Sequence, residues 1–136
     1  MTTSITVSVT RTIDAPCDKV WRADTEPRHF ERWFGAKAGS ARTDLRTGGA
    51  WSAVVGGEGE EIQLEGHYVE VVEHRRVVMT VPNGPETLEV AVDFTDLGDG
   101  RTEVTSSTRV AAEAREIVEQ TAGAILDEIA KIAESL

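Results

Sequence analysis

Apolar residues along the chain keep two different periods, and the switches between them mark out its elements. Ile5, Val7, Val9 and Ile13 alternate with Thr6, Ser8, Thr10 and Thr12, the period-two pattern of a half-buried strand rich in β-branched residues. Asp14-Ala15-Pro16 ends this strand. Asp14 is placed to cap a helix whose first turn holds Pro16, where a missing N–H costs nothing. That helix carries Val20, Trp21 and Ala23 and breaks before Pro27, because the residue before a proline is pushed out of the helical region. A second short helix runs from Pro27 to about Phe34, with Phe30, Trp33 and Phe34 at three- and four-residue spacing, and Gly35 closes it.

From there the period is two. Residues 36–46 read as a polar, edge-type strand, Gly48-Gly49 as a turn, and residues 50–55 as a strand ended by Gly56-Gly57-Glu58-Gly59. The run from Glu61 to Val72 alternates at Ile62, Leu64, Gly66 and Tyr68, then changes parity at Val69 and Val71. A bulge or bend between Gly66 and Val69 accounts for the slip, since one extra residue turns the following side chains to the other face. Residues 76–81 form the next strand, Pro82-Asn83-Gly84-Pro85 a turn, and Leu88, Val90, Val92 and Phe94 one face of another strand. Gly98-Asp99-Gly100 then turns into the Thr/Ser-rich strand of residues 102–110. The count is six or seven antiparallel strands.

The last segment changes period again. From Ala111 onward Val118, Ala122, Ile125, Ile129, Ile132 and Leu136 recur at three- and four-residue steps, with Ile117, Thr121 and Leu126 widening the stripe. This predicts one long amphipathic helix able to face a sheet and a cavity together. Strand, two short helices, a run of strands and a long helix make an α+β fold with the helix laid across a curved antiparallel sheet. At 136 residues, residues 1–136 are expected to form one domain with one core.

All three tryptophans and two of the three phenylalanines fall between Ile13 and Trp51. Trp33, Phe34 and Trp51 lie on either side of turns, which points to the mouth of a cavity. Trp21, at helical spacing, reads as core. The net charge of −10 argues against nucleic acid, whose binding rests on Lys and Arg neutralising phosphates, and against an anionic membrane surface. The single cysteine, Cys17, excludes an intramolecular disulfide. No basic and apolar leader or apolar span precedes or interrupts the pattern, so a cytoplasmic location is expected.

The three histidines, His29, His67 and His74, match no metal-ligand spacing, and His67 and His74, seven residues apart in an extended segment, point to opposite faces unless the bulge intervenes. The 56–59 glycines lack a phosphate-loop register, and Glu58, Glu60 and Glu61 repel anions, so a flexible hairpin is the reading. Glu89 and Asp93 sit opposite the Leu88-to-Phe94 apolar face and are read as outward residues.

The order Ile13-Asp14-Ala15-Pro16, Val20-Trp21, Phe30-x-x-Trp33-Phe34, Gly48-Gly49 and Glu65-Gly66-x-Tyr68-Val69-Glu70-Val71 resembles the group of the START-like (SRPBCC) superfamily related to the activator of heat-shock protein 90 ATPase. The resemblance covers nearly the whole chain. It implies the helix-grip fold, an incomplete antiparallel barrel around a long C-terminal helix with a cavity between them, closed at one end by the two short helices. By that resemblance Phe30, Trp33, Phe34, Trp51 and Tyr68 line the cavity, faced by Ile125, Leu126 and Ile129. His67 stands next to Tyr68, and Tyr68, His67 or Arg42 would fix a ligand's orientation. Many relatives carry Gly-Trp in the C-terminal helix where this chain has Gly123-Ala124, so more room is expected there. Plant allergens of the superfamily carry a glycine-rich loop near positions 56–59.

The function expected is binding of a small hydrophobic or amphipathic molecule by burial of apolar surface, which needs no cofactor, no metal and no catalytic residue. Two alternatives follow from the resemblance: a polyketide cyclase or aromatase, for which a buried His67 or Tyr68 hydrogen-bonded to a carboxylate would be the sign, and a co-chaperone-like stimulator of an ATPase. Partners are accordingly the small molecule, with a protein partner or a homodimer left open.

Overall fold

The structure is a computed structural model that describes residues 3–57 and 59–136. Met1, Thr2 and Glu58, the last belonging to the predicted glycine-rich hairpin, lie outside the described residues. Seven strands form one antiparallel sheet: β1 (Ser4–Ile13), β2 (Arg42–Thr43), β3 (Ala50–Val55), β4 (Ile62–Val72), β5 (Arg76–Asn83), β6 (Glu86–Gly98) and β7 (Arg101–Ala111). Their order across the sheet is β1-β7-β6-β5-β4-β3-β2. Three helices, α1 (Cys17–Thr25), α2 (Pro27–Phe34) and α3 (Arg115–Glu134), complete the helix-grip arrangement.

The alternation read in the sequence sets the two faces. Along β7 the residues Thr102, Val104, Ser106, Thr108 and Val110 are buried, and in register they meet Ile13, Arg11, Val9, Val7 and Ile5 of β1. The opposite face carries Thr and Ser, tied across the strands by Ser8–Ser107 and Thr10–Thr105 hydroxyl pairs at 3.0 and 2.9 Å. The parity change in β4 is a register shift between Tyr68 and Glu70. It puts Gly66, Tyr68 and Val71 on one face, because Tyr68 pairs with Met79 and Val71 with Val77.

α3 packs chiefly against β1 and α1, and less against α2 and β7. Its buried stripe is Gly123, Leu126, Ile129, Ile132 and Ala133. Arg11, on the inner face at the sheet's edge, reaches over Gly123 and donates from Nε to Asp127 Oδ1 at 3.1 Å. Ala124 is exposed; the room left by its small side chain opens to solvent and not to the interior.

Three sequence expectations are corrected. Asp14 does not cap α1: Pro16 holds the cap position in an extended conformation, and its carbonyl accepts from the N–H groups of Lys19 and Val20. Residues 36–46 contain only the two-residue strand β2. The reason is Glu31, a buried α2 residue whose Oε1 and Oε2 accept from the backbone N–H groups of Gly39 and Ala41 at 3.0 and 2.8 Å, pulling the segment into a loop. A single 3₁₀ turn over Ala112–Ala114 separates β7 from α3, so the long helix starts at Arg115 and not at Ala111.

Candidate functional site

α2 places three aromatic rings, Phe30, Trp33 and Phe34, beside a fourth, Trp51 of β3. Phe30 lies 4.9 Å from both Trp33 and Phe34, stacked on the latter, and 5.5 Å from Trp51; Phe34 meets Trp51 at 5.4 Å. These are ring separations at which edge-to-face and offset pairs are favourable. Trp51 is held from the other side too. Its Nε1 donates to the Thr80 carbonyl at 2.9 Å, and its indole lies against Gly66, where a Cβ would overlap both the indole nitrogen and the Thr80 oxygen. Gly66 is therefore a seat for Trp51 more than a turn residue.

Of the residues the sequence singled out, Phe30, Trp51, Tyr68, Leu126 and Ile129 belong to one buried core, which Trp21 shares. Trp33, Phe34 and Ile125 pack on its margin, half-buried. His67 stands apart. It pairs in register with Ala50 on the face opposite Tyr68, is exposed, and borders an open groove of about 420 Å³ with Arg42, Asp44 and Glu65. The Arg42 guanidinium donates to the carbonyls of Gly39 and Ala41. His29 is buried on α2; burial first, then Arg28, lowers its pKa from 6.5. Its Nε2 is 3.4 Å from Glu26 Oε1, but the geometry does not make a hydrogen bond, and both ring nitrogens lack a hydrogen-bond partner among the described residues. His74 occupies the β4–β5 turn with φ 64° and accepts a 3.2 Å contact from Cys17 Sγ at its carbonyl.

The sequence reading passed over one residue of the interior. Asp24, on α1 four residues after the fully buried Val20, is only 5% exposed, and neither of its oxygens accepts a hydrogen bond among the described residues. Burial pushes its carboxyl up to about 7 from an ordinary 3.8. Tyr68, 2% exposed, makes no side-chain hydrogen bond among the described residues; burial and, secondarily, the charge of Asp24 push its hydroxyl well above the usual tyrosine range. α1 and β4 thus each bury one titratable group in the core, a carboxyl at Asp24 and a phenol at Tyr68.

The apolar margin is continuous with this interior. Leu64 of β4, Val81 of β5 and Val90 of β6 are half-buried and packed on the same core as Trp33, Phe34 and Ile125. All three strand residues lie on the inner face, since they share parity with Tyr68, Met79 and Val92. A second open groove, about 670 Å³, runs between the start of α1 and the ends of β5 and β6, bordered by Cys17, Asp18, His74 and Asp96. Burial, then Asp96 and Asp18, raise the Cys17 thiol, the opposite of an activated nucleophile. Among the described residues no group of His, Cys, Asp and Glu is arranged to hold a metal ion, and no helix is long and apolar enough to cross a membrane.

Comparison with known proteins places this geometry. The family model described as "Activator of Hsp90 ATPase homolog 1-like protein" matches residues 14–134. No curated protein matches the chain. Among solved structures, a protein of unknown function from Staphylococcus aureus superposes with a TM-score of 0.84 at 18% identity, covering 98% of this chain and 96% of that one. The solution structure of an AHSA1-like protein from Aeromonas hydrophila gives 0.80 at 21% identity, covering 96% and 93%. Ara h 8.0201 gives 0.75 at 14% identity, covering 98% and 100%. At these identities the structures share the fold.

Proposed function

The chain belongs to the Activator of Hsp90 ATPase homolog 1-like family, and from that membership and its interior we propose that it binds a small hydrophobic or amphipathic molecule on the inner face of the sheet. The observation that carries the reading is the half-buried apolar margin. Trp33, Phe34, Leu64, Val81, Val90 and Ile125 come from five elements and lie on one core, yet each keeps part of its surface in water. Covering such surface with an apolar ligand is favourable by about 25 cal/mol per Å². A rim of this kind around a floor of Trp51, Tyr68 and Met79 suits a ligand with an apolar body. The aromatic rings give the site its shape, because their mutual packing and the Trp51–Thr80 bond fix them before any ligand arrives.

Binding is tested by thermal unfolding with a panel of apolar and amphipathic small molecules, read together with the indole N–H resonances of Trp33 and Trp51. A ligand at one hundred times its Kd raises stability by about 2.7 kcal/mol, and that gain should vanish in Trp33→Ala. A panel that leaves both the melting temperature and the two indole signals unmoved rules the proposal out.

A further inference from the structure

The corner between α1 and α2 gathers charge around a histidine that the binding reading does not use. Glu26 ends α1 and begins α2, in an extended conformation with φ −67° and ψ 134°. Its carboxylate already serves two cations: Oε2 accepts from Arg22 Nε of α1 at 3.3 Å, and Oε1 accepts from the Arg28 guanidinium of α2 at 3.4 Å. His29 Nε2 stands 3.4 Å from that same Oε1 without bonding to it. The residue is 7% exposed, and neither ring nitrogen has a hydrogen-bond partner among the described residues. One helical turn on, Trp33 Nε1 is also buried without a partner among them. A neutral imidazole here has lost its hydration without replacement. An imidazolium would add a buried charge, a second donor to satisfy and a third cation on one carboxylate. The groups acting on that charge are Glu26 at the corner, Arg22 from α1, and Arg28 and Arg32 of α2 itself, three positive against one negative; among the described residues none comes from α3 or the sheet.

We propose that this corner is a proton-operated hinge: a proton taken up by His29 drives its ring out of the interior and lifts α2, with Phe30, Trp33 and Phe34, away from Trp51. α2 is the element that gives because it is only eight residues long, turns on the single extended residue Glu26, and buries three polar atoms that nothing among the described residues satisfies. Swung out, the imidazolium regains water and can share the Glu26 carboxylate. The sign follows from the surroundings. Burial and then Arg28 keep the proton off the closed ring, whereas a solvated ring takes it at an ordinary 6.5, so opening is favoured as pH falls below that value. Asp24 on α1 works the other way, since its buried carboxyl is neutral in acid; the same pH change therefore loosens α2 while it relieves the core. Trp33 and Phe34 belong to the apolar margin, so, resting on the binding reading above, the hinge releases the ligand in acid.

The test is amide hydrogen exchange of the intact chain at pH 7.5 and pH 5.5, corrected for the intrinsic pH dependence of exchange, with the His29 ring titrated by NMR. An opening that exposes His29 at its ordinary value grows about tenfold by pH 5.5. The amides of residues 30–34, and those of Gly39 and Ala41 fastened to Glu31, should speed up by about that factor, while those of β7 around Val104 should not. His29→Gln, neutral at both pH values, should flatten the dependence, and His29→Phe, which also removes the unpaired nitrogens, should slow exchange in α2. Unchanged rates in α2, an acceleration that survives in His29→Gln, or one shared equally by β7 overturns the hinge. So does a ring that titrates at 6.5 or above in the folded wild type, a result independent of whether either variant folds. Nile red, a neutral apolar probe, separates the hinge from the binding reading. Held at pH 7.5 and released at pH 5.5 by the wild type, but retained by His29→Gln, it ties the two together. Held equally at both values, it overturns the hinge's control of the site, and a probe that never binds counts against the binding reading while the exchange result decides the hinge.

Discussion

Replacing Asp24 by Asn removes a charge while keeping a polar group of the same shape, so it isolates what the buried carboxyl costs the fold. Burial raises that carboxyl from 3.8 to about 7. A carboxyl whose folded value lies above its unfolded one contributes stability only while protonated. Its contribution is full below the unfolded value and is lost as pH rises through the folded one. A gap of about three units corresponds to about 4 kcal/mol in all, of which about 2.5 kcal/mol falls between pH 5 and pH 8. The wild type should therefore weaken relative to Asp24→Asn across that window, and the variant should be the more stable protein at pH 8. Urea unfolding of both proteins at pH 5, 6, 7 and 8 reads the difference directly. Subtracting one from the other cancels the opposite trend of His29, whose lowered value costs stability as pH falls through 6.5. A wild-type-to-variant difference that stays constant with pH would refute the claim that Asp24 is buried without a charge partner.

Other consequences are as concrete. Glu31→Ala leaves the N–H groups of Gly39 and Ala41 without their acceptor; it should cost about 2–4 kcal/mol by denaturant unfolding and speed amide exchange at those two residues, whereas a loss under about 0.5 kcal/mol would show that the loop holds itself. Gly66→Ala forces a Cβ into the Thr80 carbonyl and the Trp51 indole. It should cost about 3 kcal/mol or more and shift the Trp51 indole signal, and an unchanged signal would mean that Trp51 does not lie on Gly66.

How much of this was legible in the sequence depends on what each side chain answers to. Strand faces were readable because a half-buried sheet writes itself as alternation, and the slip at Val69 appears in the structure as the shift between Tyr68 and Glu70. Trp21 was legible as core for the same kind of reason, at helical spacing beside Val20. Residues 36–46 were misread as a strand because their conformation is dictated by a carboxylate from α2, a contact no local pattern encodes. The late start of α3 and the cap of α1 at Pro16 are likewise backbone choices made at element ends, where pattern is weakest. His67 drew notice through its neighbour Tyr68, but adjacency along a strand separates two side chains onto opposite faces. Asp24 escaped notice because α1 is polar on most of its surface, with Asp18, Lys19 and Arg22 around it; its four-residue spacing from Val20 was the one available signal.

Glu31 and Asp24 are two buried carboxyls that the fold uses differently. Both are carboxyls on neighbouring helices, both nearly sealed from water at 8% and 5% exposure. Glu31 accepts two backbone hydrogen bonds and fastens a loop, so its burial is explained by the fold. Asp24 accepts none of the side-chain hydrogen bonds found among the described residues, and an asparagine of the same size would fill its place without the charge. The pH-dependent difference between wild type and Asp24→Asn therefore reads what a buried carboxyl costs the fold, and Glu31→Ala reads what a buried carboxyl with two hydrogen bonds contributes to it.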